Sequence, residues 1–151
     1  MALTLRAACA ADLPGLRALF LATRREAYPW LEPASLREAD LDAQAEGERI
    51  WVASAAHDVL AGFVSLWEPD DFVHHLYVGR AWRRQGVARA LLRALPGWPA
   101  TRYRLKCLRR NAAALAFYRA CGFVEIDAGT GEEGHYALLE SRGDRVFRDG
   151  A

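Results

Sequence analysis

Lysine is almost missing from this chain: of 20 basic residues in 151, only Lys106 is a lysine and the rest are arginine, a bias that goes with the many alanines and reads as genome composition. An excess of either charge is missing too. A formal net charge of +1 gives no bulk attraction to nucleic acid or to an anionic membrane, so any electrostatic steering must come from local patches. Cysteine is scarce, and Cys9, Cys107 and Cys121 form neither a C-x-x-C nor a Cys/His ligand spacing; the odd count argues against a disulfide framework and for a reducing cytoplasm. No apolar run approaches the ~20 residues that a membrane-spanning helix needs. The N-terminus MALTLRAACAADLP also lacks the cationic-then-apolar layout of a secretion signal. Internal repeats and low-complexity tracts are absent as well. What is present is a soluble globular balance, 52% hydrophobic and 26% charged, in a length that suits a single domain with a real core. The expected limits are one domain over residues 1–139 and a polar tail over residues 140–151.

The most informative stretch is HHLYVGRAWRRQGVARALL, residues 74–92. A β-type run over residues 72–78 gives way to an arginine-rich turn at Gly86 and then to a helix. Its apolar residues Val87, Ala88, Leu91, Leu92 and Leu95 fall on one stripe and leave Arg89 and Arg93 in water. A helix that opens there aims unpaired backbone N–H groups and a partial positive charge at whatever lies above its first turn. Gly86 has no Cβ and Ala88 almost no side chain, so a bulky anion can approach the backbone of Arg84, Gln85, Gly86, Val87 and Ala88. Arg83 and Arg84 supply full charges beside it. The turn suits a pyrophosphate.

A second block, LKCLRRNAAALAFYRACGF, reads as a strand over residues 103–107, a short connection, a helix from about Asn111, and a stop at Gly122. Ala114, Phe117, Tyr118 and Cys121 share one helical face by their spacing. The pattern Arg83-x-x-Gly86-x-Ala88 resembles the acyl-CoA-binding motif of the GCN5-related N-acetyltransferase (GNAT) superfamily, Q/R-x-x-G-x-G/A. Asn111, Ala114, Phe117, Tyr118, Gly122 and Phe123 in turn resemble that superfamily's last block, N-x-x-A-x-x-F-Y-x-x-x-G-F, at every signature position. The two blocks stand in the right order and spacing. The resemblance extends from about Leu3 to Leu139, and residues 72–123 carry its specific motifs.

The rest of the chain is read from its own pattern. A first strand is expected over residues 3–7, and Asp12 opens a helix in which Leu13, Leu16, Leu19 and Phe20 are core-spaced, with Pro14 in the first turn. Two prolines break the following RREAYPWLEP, and a second helix is expected over residues 35–45, with Ser35 and Glu38 at capping-box spacing. Residues 49–54 and 59–67 form a hairpin about Ala56, His57 and Asp58, with Gly62 a point of close backbone approach. PGWPAT, residues 96–101, is a loop. Residues 123–127 and 135–139 make a last antiparallel pair joined by AGTGEEG.

The resemblance implies an α/β fold: a mixed, mostly antiparallel sheet of six or seven strands with helices on both faces. Its central parallel pair, residues 72–78 and 103–107, is splayed to admit the cofactor. It implies transfer of an acetyl group from acetyl-CoA, as co-substrate, directly to a primary amine of a small molecule or peptide, by a cytoplasmic enzyme that needs no metal and whose assembly includes a homodimer among its options. The pantetheine arm would lie along the central strand at Leu76 and Val78, with a backbone N–H near Val78 bonding the thioester carbonyl. Asn111 and Phe117 are further cofactor-binding candidates, and an N-cap role alone also accounts for Asn111. Gly79-Arg80 departs from the residue-proline pair common in the family.

Tyr118 stands where many members keep a tyrosine that protonates the departing thiolate, and a phenol with an ordinary pKa near 10 holds its proton at neutral pH for that purpose. For the base, several members have a glutamate where this chain has Phe72. His74 shares a strand face with Phe72 and Leu76 by alternation, and an imidazole suits relay of a proton from an ammonium. Glu68 and solvent compete for that role, and His75 is expected on the opposite face as a structural residue. Tyr28 and Trp30, after the first helix, are candidates for acceptor binding or else plugs at the core edge, and Glu133 belongs to an acidic segment expected at the acceptor entrance. A noncatalytic acyl-CoA sensor is the alternative reading, against which Tyr118 and His74 count. A generic nucleotide-binding enzyme would need a Walker lysine or a complete G-x-G-x-x-G, which the sequence lacks.

Overall fold

The computed structural model describes residues 2–143. Seven strands form one mixed sheet in the order β1-β2-β3-β4-β5-β7-β6. The chain divides into two compact units, one of residues up to Glu68 with His74–Ala94, the other of Pro69–Val73 with the residues from Leu95 onward. Among the described residues no helix is long and apolar enough to cross a membrane.

The first unit holds strands β1 (Thr4–Ala7), β2 (Arg49–Ser54) and β3 (Leu60–Trp67), most of β4 (Phe72–Val78), and helices α1 (Leu13–Ala27), α2 (Asp40–Gln44) and α3 (Val87–Arg93). β1 and β2 run antiparallel with Thr4 opposite Ser54, and β2 and β3 antiparallel with Arg49 opposite Leu66. The core-spaced face of α1 sends Leu16 and Phe20 against Leu41, Val52 and Phe63. Burying side chains of this size stabilises by about 1.5–3 kcal/mol each. Gly62 marks the expected close approach, since a Cβ there would lie 2.7 Å from the Tyr77 carbonyl oxygen.

In the second unit Phe72 of β4 stands parallel to Arg104 of β5 (Arg104–Leu108). β5 and β6 (Phe123–Gly131) each pair antiparallel with β7 (Gly134–Ser141), and α4 (Ala112–Ala120) connects β5 to β6. Tyr103, Leu105, Phe123, Ala137 and Leu139 are buried, and the Tyr103 hydroxyl donates to the Pro96 carbonyl.

Several elements differ from their expected form. The helix expected over residues 35–45 is a short 3-10 turn, Pro33–Ser35, followed by the five residues of α2. The Ser35 hydroxyl donates backward to the Glu32 carbonyl, 2.6 Å, and Asp40 instead accepts the Arg37 N–H, 2.9 Å. Ser and Asp side chains compete for backbone groups in this way, and a segment this short cannot nucleate a longer helix alone. AGTGEEG is mostly ladder: pairing continues to Gly131 opposite Gly134, which leaves Glu132 and Glu133 as a two-residue turn. β7 runs through Glu140 and Ser141, both buried, rather than ending at Leu139. Glu140 is drawn in by cations, with Arg104 at 2.9 Å, Arg142 at 3.0 Å and Arg102 at 3.7 Å. The rest of the expected tail, residues 144–151, lies outside the described residues.

Candidate active site

The turn after β4 leaves space in front of its backbone. Arg84 (φ 62°) and Gly86 (φ 80°) both take the left-handed conformation, which glycine adopts freely and an arginine only at a cost of roughly 1–2 kcal/mol. A Cβ built on Gly86 would meet no atom within 4 Å, so the glycine clears a space rather than fitting beneath a neighbouring side chain. Gly86 is the N-cap of α3, and no side chain caps that helix. The N–H groups of Val87, Ala88 and Arg89 therefore lack acceptors within the helix. Val87 itself packs into the core while its backbone stays at the turn.

The two arginines expected to act together are separated by their partners. The Arg83 guanidinium pairs with Glu26 at the end of α1, and its Nε donates to the Val78 carbonyl at 3.3 Å; Arg80 lies 4.0 Å from the same Glu26 carboxylate. Arg84 is exposed and, among the described residues, makes no ion pair. Gln85 donates to the Ala81 carbonyl at 3.1 Å. Clear space over a glycine, uncapped N–H groups and an arginine without an anionic partner are donors without an acceptor, and that set fits a pyrophosphate. Arg83 also ties the turn to α1.

On β4, His74 is exposed and His75 buried, as expected from the alternation. Their rings stack with centroids 4.0 Å apart at 28°. The His75 N–H donates to the Ser65 side-chain oxygen, 3.0 Å. His75 is buried, with its Nδ1 2.8 Å from the Ser65 hydroxyl and its Nε2 3.1 Å from Gln44 Oε1. Gln44 Oε1 can only accept, so Nε2 carries the proton and Nδ1 accepts from Ser65. Burial, then the neighbouring His74 and Arg24, push its pKa down to about 3. His75 is thus a neutral ring with every polar atom matched, edge-on to Phe20 at 5.4 Å.

His74 is more exposed, and its Nδ1 lies 2.8 Å from a carboxylate oxygen of Glu48. Ligand atoms of Glu48, His74 and His75 lie within 4.8 Å of one another. Both His75 nitrogens are already bonded to Ser65 and Gln44, which leaves Glu48 and His74 as the two of the three with ligand atoms to offer. Leu76 and Val78 follow half-buried on the same strand. Glu68 is matched by Arg49 at 2.9 Å, which also covers the Trp51 ring. Tyr28 is buried, with Arg24 5.0 Å above its ring, while Trp30 meets it edge-on and is 52% exposed. Tyr28 is therefore core-facing, and Trp30 alone of the two presents a surface.

In the second unit, Asn111 accepts the Ala114 N–H at 3.1 Å and caps α4. Phe117 and Tyr118 are half-buried in an edge-on pair, 5.3 Å between centroids, and Tyr118 meets Phe123 at 5.5 Å. Glu133 lies exposed in the β6–β7 turn. Sequence reasoning missed Glu26, Gln44, Glu48 and Ser65. No local pattern marks them, since each acts on a residue distant in the chain.

Residues 13–123 match the model of the Acetyltransferase (GNAT) family. Among solved structures, the PaiA N-acetyltransferase of Thermoplasma acidophilum in complex with coenzyme A is similar with a TM-score of 0.73 at 18% identity, over 94% of this chain and 99% of that one. A spermidine N-acetyltransferase SpeG from Vibrio cholerae is similar with a TM-score of 0.67 at 19% identity, over 99% and 98%. The ribosomal-protein-S18-alanine N-acetyltransferase of Escherichia coli has a TM-score of 0.67 at 22% identity, over 93% of each chain. No curated protein matches the sequence significantly. At these identities the structural likeness establishes the fold and leaves the acceptor open.

Proposed function

This chain belongs to the acetyltransferase (GNAT) family, and from that premise we propose that it is an N-acetyltransferase moving the acetyl group of acetyl-CoA directly onto a primary amine of a small molecule or peptide. Acetyl-CoA is the co-substrate of the family. The observation that carries the reading furthest is the Gly86 turn, with clear space where a Cβ would stand and no side chain capping α3. The backbone at Gln85, Gly86, Val87 and Ala88 and the guanidinium of Arg84 receive the pyrophosphate. The β4 backbone at Leu76 and Val78 receives the pantetheine arm as an added strand, with Asn111 and Phe117 as its further contacts.

In the transfer, the amine nitrogen bonds to the thioester carbonyl carbon and the C–S bond breaks. The ammonium first gives a proton to His74, which passes it to solvent; Tyr118 gives its phenolic proton to the departing thiolate, and the second proton, lost by the nitrogen as it becomes an amide, restores the phenol through solvent. Glu68 is the weaker candidate for the base because Arg49 already holds its charge. Trp30 and Glu133 are the acceptor contacts we favour, the first as an exposed apolar surface and the second as a negative charge for a cationic amine. The two neighbours above named for spermidine and for a ribosomal-protein alanine both carry amine acceptors in their names, which supports an amine here. The cysteine pattern supports work in a reducing cytoplasm.

Thiol release from acetyl-CoA, measured against panels of polyamines, aminoglycosides, amino acids and peptide N-termini, tests the proposal. At least one amine class should release CoA stoichiometrically with acetylated product, and Tyr118→Phe should lower kcat by roughly 10² with little change in acetyl-CoA affinity. CoA binding without release by any amine would make the chain a sensor rather than an enzyme.

A further inference from the structure

The reading of His74 as the base leaves open which ring nitrogen does the work and what holds the ring. We propose that Glu48 is the positioning residue for His74: its carboxylate keeps the ring proton on Nδ1 and turns the Nε2 lone pair to the acceptor amine. The inference rests on the transferase reading above.

Three observations carry it. Glu48 Oε2 lies 2.8 Å from His74 Nδ1, and the Glu48 side chain is 6% exposed against 37% for His74. An ionised carboxylate only accepts hydrogen bonds, so the shared proton belongs to Nδ1, and the base function passes to the other nitrogen. The second Glu48 oxygen, Oε1, is buried and, among the described residues, has no hydrogen-bond partner. A carboxylate oxygen left without a donor is unfavourable for folding alone. It also leaves the negative charge of Glu48 directed at one ring.

The groups around that ring do not substitute for Glu48. His75 stacks on it but is neutral and has both nitrogens occupied by Ser65 and Gln44. Arg24, on α1, is the charged side chain that bears on His75, and it is a cation. When Nε2 takes a proton from the ammonium, Glu48 is therefore the group placed to balance the new charge. The amine nitrogen regains its lone pair for attack, and Nε2 returns the proton to solvent, so the cycle leaves His74 as it began. A carboxylate that orients an imidazole and fixes its tautomer is a general device for setting which nitrogen acts.

The experiment has one arm free of turnover. Nitrogen-detected NMR of the histidine rings in the full chain should show His74 as the Nδ1–H tautomer, and Glu48→Ala should mix the tautomers while Glu48→Gln, which keeps an acceptor oxygen, should retain Nδ1–H. In the thiol-release assay Glu48→Gln should lower kcat/KM for the amine about tenfold and leave the KM for acetyl-CoA unchanged. Added to His74→Ala, Glu48→Gln should cause no further loss. A wild-type Nε2–H tautomer, or a second tenfold loss in the double variant, overturns the inference even if the enzyme is active. Absence of thiol release with every amine overturns the transferase reading and, with it, any proton-accepting role for Nε2, whatever the tautomer.

Discussion

Two helices follow strands in the motif-bearing part of this chain, and their first turns are finished in opposite ways. α4 begins at Asn111, whose side chain accepts the Ala114 N–H at 3.1 Å. α3 begins at Gly86, which has no side chain to offer, takes a left-handed φ of 80° and faces open space. The same local problem, unpaired N–H groups at a helix start, is solved inside the protein in one case and left unsolved in the other. A glycine start that is neither capped nor covered gives up roughly a few tenths of a kcal/mol of available stability, which a ligand with negative charge can return. The contrast separates a structural turn from a binding turn better than the glycine alone does, because glycine serves equally in both.

The comparison breaks most easily at Gly86. Gly86→Val places branched carbon in the cleared space and forces a β-branched residue into a positive φ, so CoA affinity in calorimetric titration should fall by roughly 100-fold or more. Circular dichroism must show the variant folded, and wild-type affinity in a folded Gly86→Val protein would end the anion-turn reading.

The closed extreme of the comparison is His75, where every polar atom is matched inside the first unit. Its folded pKa of about 3 lies below the ordinary 6.5, so between those values the unfolded chain binds a proton that the folded one refuses. Stability is therefore fully present above about pH 6.5 and is lost as pH falls toward 3, by about 2 kcal/mol between pH 7 and pH 5. Urea melts of wild type and His75→Gln should differ in that acid slope. Parallel slopes would mean that His75 is not held neutral.

A finer test lies within the turn. Arg84→Ala should weaken CoA binding about tenfold, the scale of a charge-assisted bond. Arg83→Ala should weaken it less, because Glu26 and the Val78 carbonyl already hold that guanidinium. Equal losses, or the reverse order, would show that the ligand draws Arg83 away from Glu26.

The smallest effect is expected at the capped start. Asn111→Ala should lower stability by about 1 kcal/mol, and Asn111→Asp should restore it, since Asp caps as well as Asn. Asp lacks the amide donors, so any rise in the acetyl-CoA KM of Asn111→Asp reads the contact with pantetheine separately from the cap. A stability unchanged in Asn111→Ala would remove the cap as an energetic feature and weaken the contrast between the two helices.

What the sequence determined by itself was whatever depends on neighbours a few residues apart. Strand β4, the turn at Gly86, the apolar face of α3, the N-cap at Asn111 and the stop at Gly122 all follow from hydrogen bonds and side-chain stripes that close within one or two turns of chain. The two motif blocks are of this kind, which is why the family was legible before any fold. The helix expected over residues 35–45 shows the limit, because a capping-box spacing gives no warning that Ser35 and Asp40 will bond elsewhere.

Only the tertiary structure decided which partner each charged or polar side chain takes. Glu48 reaches His74 across 26 residues, Gln44 reaches His75 across 31, and Glu26 claims Arg83 from the end of α1. A carboxylate has no period and no propensity that names its partner; burial and the meeting of distant strands and helices select it. The burial of His75 as a neutral ring was decided in the same way, by a Ser65 hydroxyl and a Gln44 amide that match both of its nitrogens.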